Sequence, residues 1–590
     1  MASPGRLTRL VAAALVVGAC GSGPTPTPAA ASPTAVASTV ASSIASPSGS
    51  SAPSASASAA SSPSSAACAL AVAPAAKPWN SDVWYEAFVR SFADGNGDGI
   101  GDFKGLTAKL DYLNDGNPAT TTDLGVTGIW LMPIFESPSY HGYDVIDYRK
   151  VEQAYGTSAD FAAFLAAAHK RGIKVILDLT LNHTSDQNPW FTASSTGTGA
   201  YADWYVWSAT DPVYAGPQGQ TVWHPLGGRF YYGVFGAGMP DLNLRNPAVT
   251  AELHAIAKSW LDLGVDGFRL DAIPYLIEDG QKQFSTPETL AWLRDFQAGV
   301  KADAPGAMTI GEVWADSSIA AKYVPDSTNL TFDFDLAAAT VQTVQTGQPS
   351  TLASAIGQTV GAWPANQEGT FLTNHDQDRV MSQLGGHVDE AKLAALLLMT
   401  EPGVPFVYYG EEVGLAGAKP DEQIRTPMPW TADPKRGGFT TGTPWEPLAD
   451  GTATANVATA TADPASLLNT YRSLIRLHEA QGPLHAGATF PVTATGPVVT
   501  WLRVTADDAQ LVVANTSNAP TSDYALALDG GPLCSAGGTA GTATVLAVVN
   551  MDASAKVTAP VRTPTGGFAA YRPLATLAAH AGVVIDLGQP

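Results

Sequence analysis

From Trp84 onward, short runs of β-branched and aromatic residues alternate with longer Ala- and Leu-rich stretches of helical character. That is the pattern of a parallel sheet covered by helices. Eight runs stand out: Val83 to Val89, Gly128 to Ile134, Lys174 to Leu181, Gly267 to Asp271, Met308 to Val313, Asn329 to Phe334, Gly369 to Asn374, and Pro405 to Tyr409. They predict an α/β fold, a closed (β/α)8 TIM barrel whose chemistry sits on the loops leaving the strand C-termini. Between the third and fourth runs, Asn182 to about Asn246 is too long for an ordinary connection and rich in Trp, Tyr, Gly and Pro, which predicts a small inserted domain over about 183–246. Most of its Trp190, Trp204, Trp207, Trp223 and Tyr232 are expected to pack that domain's own core. From Thr489 onward, short Val, Thr and Ala runs broken by Gly and Pro predict a C-terminal antiparallel β-sandwich. The barrel with its insertion then spans 78–485 and the sandwich 486–590.

The first residues read differently. Arg6 and Arg9 precede an apolar run from Leu10 to Val17 that is too short to span a bilayer, followed by Gly18, Ala19 and Cys20. Residues 1–20 therefore read as an export signal. Val17-Gly18-Ala19-Cys20 resembles the lipobox of bacterial lipoproteins, which implies acylation of Cys20 and a place on the extracellular face of the cell membrane. A plain cleaved signal with release of the protein is the alternative. Residues 21–77 are dominated by Ala, Ser, Pro, Thr and Gly, a composition that cannot build a packed core and reads as a disordered tether.

The balance of 31 basic against 53 acidic residues, a formal net charge of -22, argues against nucleic acid and leaves a lipid anchor as the only membrane contact expected. If Cys20 is acylated, Cys68 and Cys534 remain. In an oxidising compartment they either pair, tying the tether's end to the C-terminal region, or stay as two unrelated buried thiols.

Charged residues at the ends of barrel strands are the first to suspect. The third run ends in Asp178-Leu179-Thr180-Leu181-Asn182-His183 and the fourth in Arg269-Leu270-Asp271. The fifth gives Gly311-Glu312-Val313-Trp314, and the seventh closes with Thr373-Asn374-His375-Asp376. Three carboxylates from separate strands, with an arginine and two histidines, make up a glycosidase set: a nucleophile, a proton donor and a group that grips sugar hydroxyls. Because side chains alternate along a strand, Arg269 and Asp271 project to the same side, where the guanidinium can hold the carboxylate ionised. Glu312 must instead keep its proton until the leaving oxygen takes it, and neighbouring negative charge favours that.

On these residues the chain resembles the α-amylase family of glycoside hydrolases, family 13, from about Trp79 to the C-terminus. The resemblance implies Asp271 as nucleophile, Glu312 as general acid/base and Asp376 as the third acid. It assigns Arg269, His183 and His375 to the sugar-binding core, Asp178 to a structural role, and Tyr143 to the platform beneath the glucose being cleaved. Met239-Pro240-Asp241-Leu242-Asn243 resembles a signature of members between oligo-1,6-glucosidases and neopullulanases. Arg425-Thr426-Pro427-Met428-Pro429-Trp430 and Gly438-Phe439-Thr440-Thr441-Gly442 point the same way.

The first barrel loop, Asp94-Gly95-Asn96-Gly97-Asp98-Gly99-Ile100-Gly101-Asp102, places oxygen side chains at alternate positions with glycines between, a calcium loop in type. It departs from an EF-hand at its twelfth position, Gly105. Similar loops in the family imply a structural Ca²⁺ held by Asp94, Asn96, Asp98, Asp102 and the carbonyl of Ile100. Asn182 and Asp241 are candidate ligands of a second ion between barrel and insertion.

The expected activity is retaining hydrolysis of α-1,4-glucans or maltooligosaccharides. Many α-amylases carry a Lys-His pair shortly after the nucleophile, whereas here Asp271 is followed by Ala272-Ile273-Pro274-Tyr275, more similar to trehalose-forming relatives. An exo-acting α-glucosidase, an oligo-1,6-glucosidase and a glucosyl-transferring isomerase therefore stay open. Asp144 with Arg379 could clamp a terminal glucose and favour exo action. A surface sugar-binding protein that has lost catalysis is the non-enzymatic rival, and the presence of all three acids weighs against it.

Overall fold

The computed structural model describes residues 77–534 and 543–590. The export signal, Cys20, nearly all of the tether and Cys68 lie outside the described residues; Cys534 is disulfide-bonded. Eight strands close into a barrel: β1 (Trp84–Ala87), β2 (Gly128–Leu131), β3 (Lys174–Thr180), β4 (Gly267–Asp271), β5 (Met308–Gly311), β6 (Leu330–Phe332), β7 (Glu368–Thr370) and β8 (Val404–Tyr408). Each pairs in parallel with its neighbours in chain order, and β8 returns to β1. Every strand overlaps the run expected for it. Most stop before the run's end, because the polar residues that follow leave the ladder and turn over the barrel mouth.

The strands are apolar on both faces because helices cover the outside and a plug of side chains fills the inside. That plug includes Trp84, Trp130, Ile176, Met308, Phe332 and Phe406. Trp84 stacks on Phe406 at 6.0 Å, and Trp130 meets Phe332 at 5.5 Å. Gly128 is needed on β2, since a Cβ there would lie 2.3 Å from the Trp84 ring. The floor beneath the barrel mouth is thus a rigid aromatic layer.

The segment between β3 and β4 carries a helix, Pro189–Ser195, and a three-stranded sheet built from Trp207–Ser208, Trp223–Leu226 and Arg229–Tyr232. Trp204, Trp223 and Tyr232 are buried, as expected for a small domain packing its own core. The helix Pro247–Leu263 then leads back to β4, capped at its start by Asn246 and at its end by left-handed Gly264. At the C-terminus, antiparallel sheets of five and three strands share one apolar cluster that includes Leu502, Leu511, Leu526, Phe568 and Ile585. Trp501 ties this unit to the barrel by donating from Nε1 to the Thr400 carbonyl at 2.9 Å.

Candidate active site

The register of β3, β4 and β5 brings the strand-end polar residues together. Asp178 lies opposite Arg269, Thr180 opposite Asp271, and Gly311, just before Glu312, opposite Leu270. Arg269 is 1% exposed and its guanidinium organises the centre. Nη1 contacts both oxygens of Asp178, at 2.9 and 3.1 Å, and Asp271 Oδ1 at 2.6 Å; Nη2 lies 3.0 Å from Glu312 Oε2. A buried arginine needs such partners, because an unpaired charge would be costly to desolvate. Asp178 also accepts from the Tyr143 hydroxyl at 3.0 Å and from Trp130 Nε1 at 3.3 Å. It is a brace within the centre, fully enclosed by its donors.

A second network descends from β7. His375 contacts Glu86 Oε1 through Nδ1 at 2.5 Å, and through Nε2 both the Tyr143 oxygen at 2.6 Å and Asp376 Oδ2 at 3.2 Å. Tyr143 stacks on the imidazole at 5.6 Å with 15° between the planes. Arg425 closes the arrangement, donating from Nη2 to Asp376 Oδ1 at 2.9 Å and from Nε to the His375 carbonyl at 2.9 Å. The three acids are therefore joined through protein contacts: Asp271 and Glu312 by one guanidinium, and Asp376 by the path through His375, Tyr143 and Asp178.

Electrostatics separates these groups by role. Burial pushes Glu312 up to about 6, with Arg269 pulling it down while Asp271 and Asp376 add to the rise. Burial alone would favour neutral His375, yet Asp376 and Glu86 lift it to about 9, so it is an imidazolium at neutral pH. Burial also opposes ionisation of Asp376, and His375 and Arg425 outweigh it, holding that carboxyl well below the usual range. His183 is lowered to about 4 by burial and is neutral; its Nε2 has no hydrogen-bond partner, leaving it free to meet a polar group in the cleft. A group that donates its proton from Glu312 works below the Glu312 pKa. The alkaline limb of kcat/KM is accordingly expected near pH 6, with activity falling as pH rises through it. A pH–rate profile checks this, and replacing Asp376 by asparagine should move the limb to lower pH by removing a negative neighbour.

The structure does not bring Asp144 and Arg379, the pair expected as a terminal-glucose clamp, into contact with each other. Asp144 Oδ1 accepts from the hydroxyls of Ser137, at 2.7 Å, and Ser139. Arg379 is 1% exposed, donates to the carbonyls of Ile424 at 2.8 Å and Tyr409 at 2.7 Å, and lies over the rings of Tyr408 and Tyr409. The turn after Asp376 aims it into the barrel wall, where Nε and Nη1 find backbone carbonyls and the guanidinium lies over aromatic faces, while Nη2 is buried without a hydrogen-bond partner. Sequence reasoning missed Glu86 as a partner of His375 and Arg425 as the arginine on Asp376. Arg425 lies inside the Arg425-to-Trp430 motif, which carries a resemblance but no sign of a direct contact.

In the first loop, Asp94, Asn96 and Asp98 each accept the amide two residues ahead, while Asp102 accepts from Gly95, Asn96 and Gly105. Thr440 donates to Asp94, and Trp445 donates its amide to the Gly99 carbonyl at 2.9 Å, fastening the loop to the segment after β8. The donor set is oxygen only, combining carboxylates with an amide and a carbonyl, and the neighbouring Lys104 pairs with Asp160 instead. That chemistry fits a hard divalent cation. No cluster of three or more His, Cys, Asp or Glu side chains gathered as metal ligands occurs among the described residues. At the second position, Asn182 Nδ2 donates to Asp241 Oδ2 at 2.9 Å and Val234 N to Oδ1 at 3.0 Å. The Asn182 carboxamide oxygen beside it is buried without a hydrogen-bond partner.

Comparison with known proteins gives a consistent answer. The family model for the α-amylase catalytic domain matches residues 86–487. The chain is 40% identical over 364 residues to α-amylase 3 of Dictyoglomus thermophilum, covering 61% of this chain and 69% of that one. It is 31% identical over 533 residues to the oligo-1,6-glucosidase of Parageobacillus thermoglucosidasius, covering 76% and 92%. The crystal structure of the α-amylase from H. orenii superposes with a TM-score of 0.73 at 37% identity, over 86% of this chain and 99% of that one.

Proposed function

The chain belongs to the α-amylase family of glycoside hydrolases, and from that premise we propose that it is an endo-acting hydrolase of α-1,4-linked glucans with Asp271 as nucleophile, Glu312 as acid/base and Asp376 as the acid that holds sugar hydroxyls. The observation that carries the assignment is the shared grip of Arg269 on Asp271 and Glu312 at adjacent strand ends. In the first step Asp271 forms a bond to C1 while Glu312 gives its proton to the glycosidic oxygen, which leaves with the bonding pair. In the second, Glu312 takes a proton from water as that water attacks C1, the bond from C1 to Asp271 breaks with its electron pair returning to the carboxylate, and the α configuration is restored. Arg269 meets both carboxylates throughout, which steadies the centre as charge moves between them. His375 and Arg425 keep Asp376 ionised, ready to accept hydrogen bonds from hydroxyls.

Endo action is favoured by the state of Asp144 and Arg379. With Asp144 held by two serines and Arg379 in the barrel wall, the Asp-Arg closure that would seal a terminal glucose is missing. A maltoheptaoside blocked at its non-reducing end is therefore expected to be cut at a rate within a few-fold of the unblocked sugar, giving mixed oligomers. Release of glucose alone, with the blocked substrate inert, would favour an exo-acting α-glucosidase.

The loop from Asp94 to Asp102 supports a structural Ca²⁺, held by Asp94, Asn96, Asp98, Asp102 and the Ile100 carbonyl, that would neutralise the three carboxylates. Chelation with EGTA is expected to lower Tm on the order of 5 °C, restored by added Ca²⁺; calorimetry with an unchanged Tm would remove the ion. Export as a lipid-anchored protein through Cys20 is consistent with a polymeric substrate, which has to be cut outside the cell.

A further inference from the structure

The hydrogen-bond ladder between β4 and β5 ends beside Asp271 and Glu312. Glu312 N donates to the Leu270 carbonyl at 3.0 Å. In a regular parallel ladder the next rung would run from Ala272 N to the backbone carbonyl of Glu312. Ala272 N instead donates to the side chain of Glu312, at Oε2, over 2.9 Å.

The detour requires an unusual backbone. Ala272 sits at φ 46° and ψ 36°, in the left-handed region where its methyl group crowds the chain. Nothing about alanine favours that conformation. Ala272 is 8% exposed and flanked by Asp271, at 7%, and the fully buried Ile273, so the conformation is held inside an enclosed turn. Strain of this kind persists only where the surroundings over-determine it, and it gathers at functional sites.

The two oxygens of Glu312 differ as a result. Oε2 meets both Ala272 N and Arg269 Nη2, the latter at 3.0 Å. Oε1 has no hydrogen-bond partner among the described residues. We propose that the left-handed Ala272 peptide is a positioning element for the acid/base, pinning Oε2 so that Oε1 is the oxygen that carries the proton to the leaving group.

This inference rests on the assignment of Glu312 as acid/base. As the C1–O bond breaks, the proton on Oε1 passes to the glycosidic oxygen, which keeps the bonding pair, and Glu312 is left as a carboxylate. Hydrogen bonds to a carboxylate are stronger than to the neutral acid, so the Ala272 N–H favours the transition state over the ground state. The charged and titratable groups that face Glu312 are Asp271, Asp376, Arg269 and Tyr275. None of their side chains is changed by exchanging the Asp271–Ala272 amide for an ester.

The test is an amide-to-ester exchange, placing L-lactic acid at position 272 so that the N–H is lost and the methyl kept. The expected result is an alkaline limb of kcat/KM moved up by about one pH unit and kcat on maltoheptaose lowered about tenfold. The loss should shrink on α-glucosyl fluoride, whose leaving group needs no proton. A272G, which keeps the N–H and accepts a left-handed φ, should leave the limb where it is. If the ester protein does not fold, A272V supplies the same reading, because a β-branched residue resists that φ and swings the peptide away. A limb that does not move, or an equal loss on both substrates, overturns the proposal. E312A separates the two levels: if it fails to discriminate between the substrates, the acid/base assignment falls, whereas if it discriminates and the ester does not, only the role of Ala272 falls.

Discussion

Replacing Asp271 by alanine is expected to lower kcat on maltooligosaccharides by about 10⁴- to 10⁶-fold while the protein stays folded. Arg269 keeps Asp178 and Glu312 as partners, so the variant leaves no buried cation unpaired. The space vacated lies beneath C1 on the face from which the carboxylate attacks. Azide should enter it and form the β-glucosyl azide, restoring part of the rate. The checks are steady-state kinetics and NMR of the azide adduct. An α-azide, or a loss of less than about tenfold, would show that another group attacks C1.

Glu312→Ala should give the opposite signature. With the proton donor gone, kcat on maltoheptaose is expected to fall about 10³- to 10⁴-fold, while the fall on α-glucosyl fluoride is much smaller. Azide then attacks the intermediate from the face normally used by water, and the product is the α-glucosyl azide. Loss of the pH-dependent alkaline limb should accompany the change, since the group lifted to about 6 by burial is absent. Equal losses on both substrates would mean that Glu312 positions the sugar and does not donate to it. Taken together, the two variants assign each carboxyl group by the stereochemistry of its rescue.

Much of this was legible in the residues themselves. Alternation of apolar runs with helical stretches marks all eight barrel strands, because a strand buried on both faces has to be apolar along its length. The spacing of Arg269 and Asp271, two apart on one strand, forces them to one side, and the structure joins them at 2.6 Å. Long-range partners were less legible. Glu86 and His375 are 289 residues apart, and only closure of β1 against β8 brings them within reach. Arg379 stands three residues from Asp376 and looks like its partner, yet the loop after β7 carries it into the wall, where it donates to the carbonyls of Ile424 and Tyr409. Arg425, 49 residues beyond Asp376, takes that place from the loop after β8. Proximity along the chain says little about contact where every loop bends back over the same mouth. The left-handed Ala272 was hidden for a different reason: alanine carries no turn signal, and its backbone is set by packing around it.

The most direct measurement is the capture of the intermediate. Incubating the Glu312→Gln variant with α-maltosyl fluoride lets the first step proceed, because fluoride leaves without a proton, and starves the second of its base. Intact mass spectrometry should then show one maltosyl unit bound, and peptide mapping should place it on the segment holding Asp271. A sugar found on any other residue, or turnover with no adduct and a β-configured product, would contradict the account.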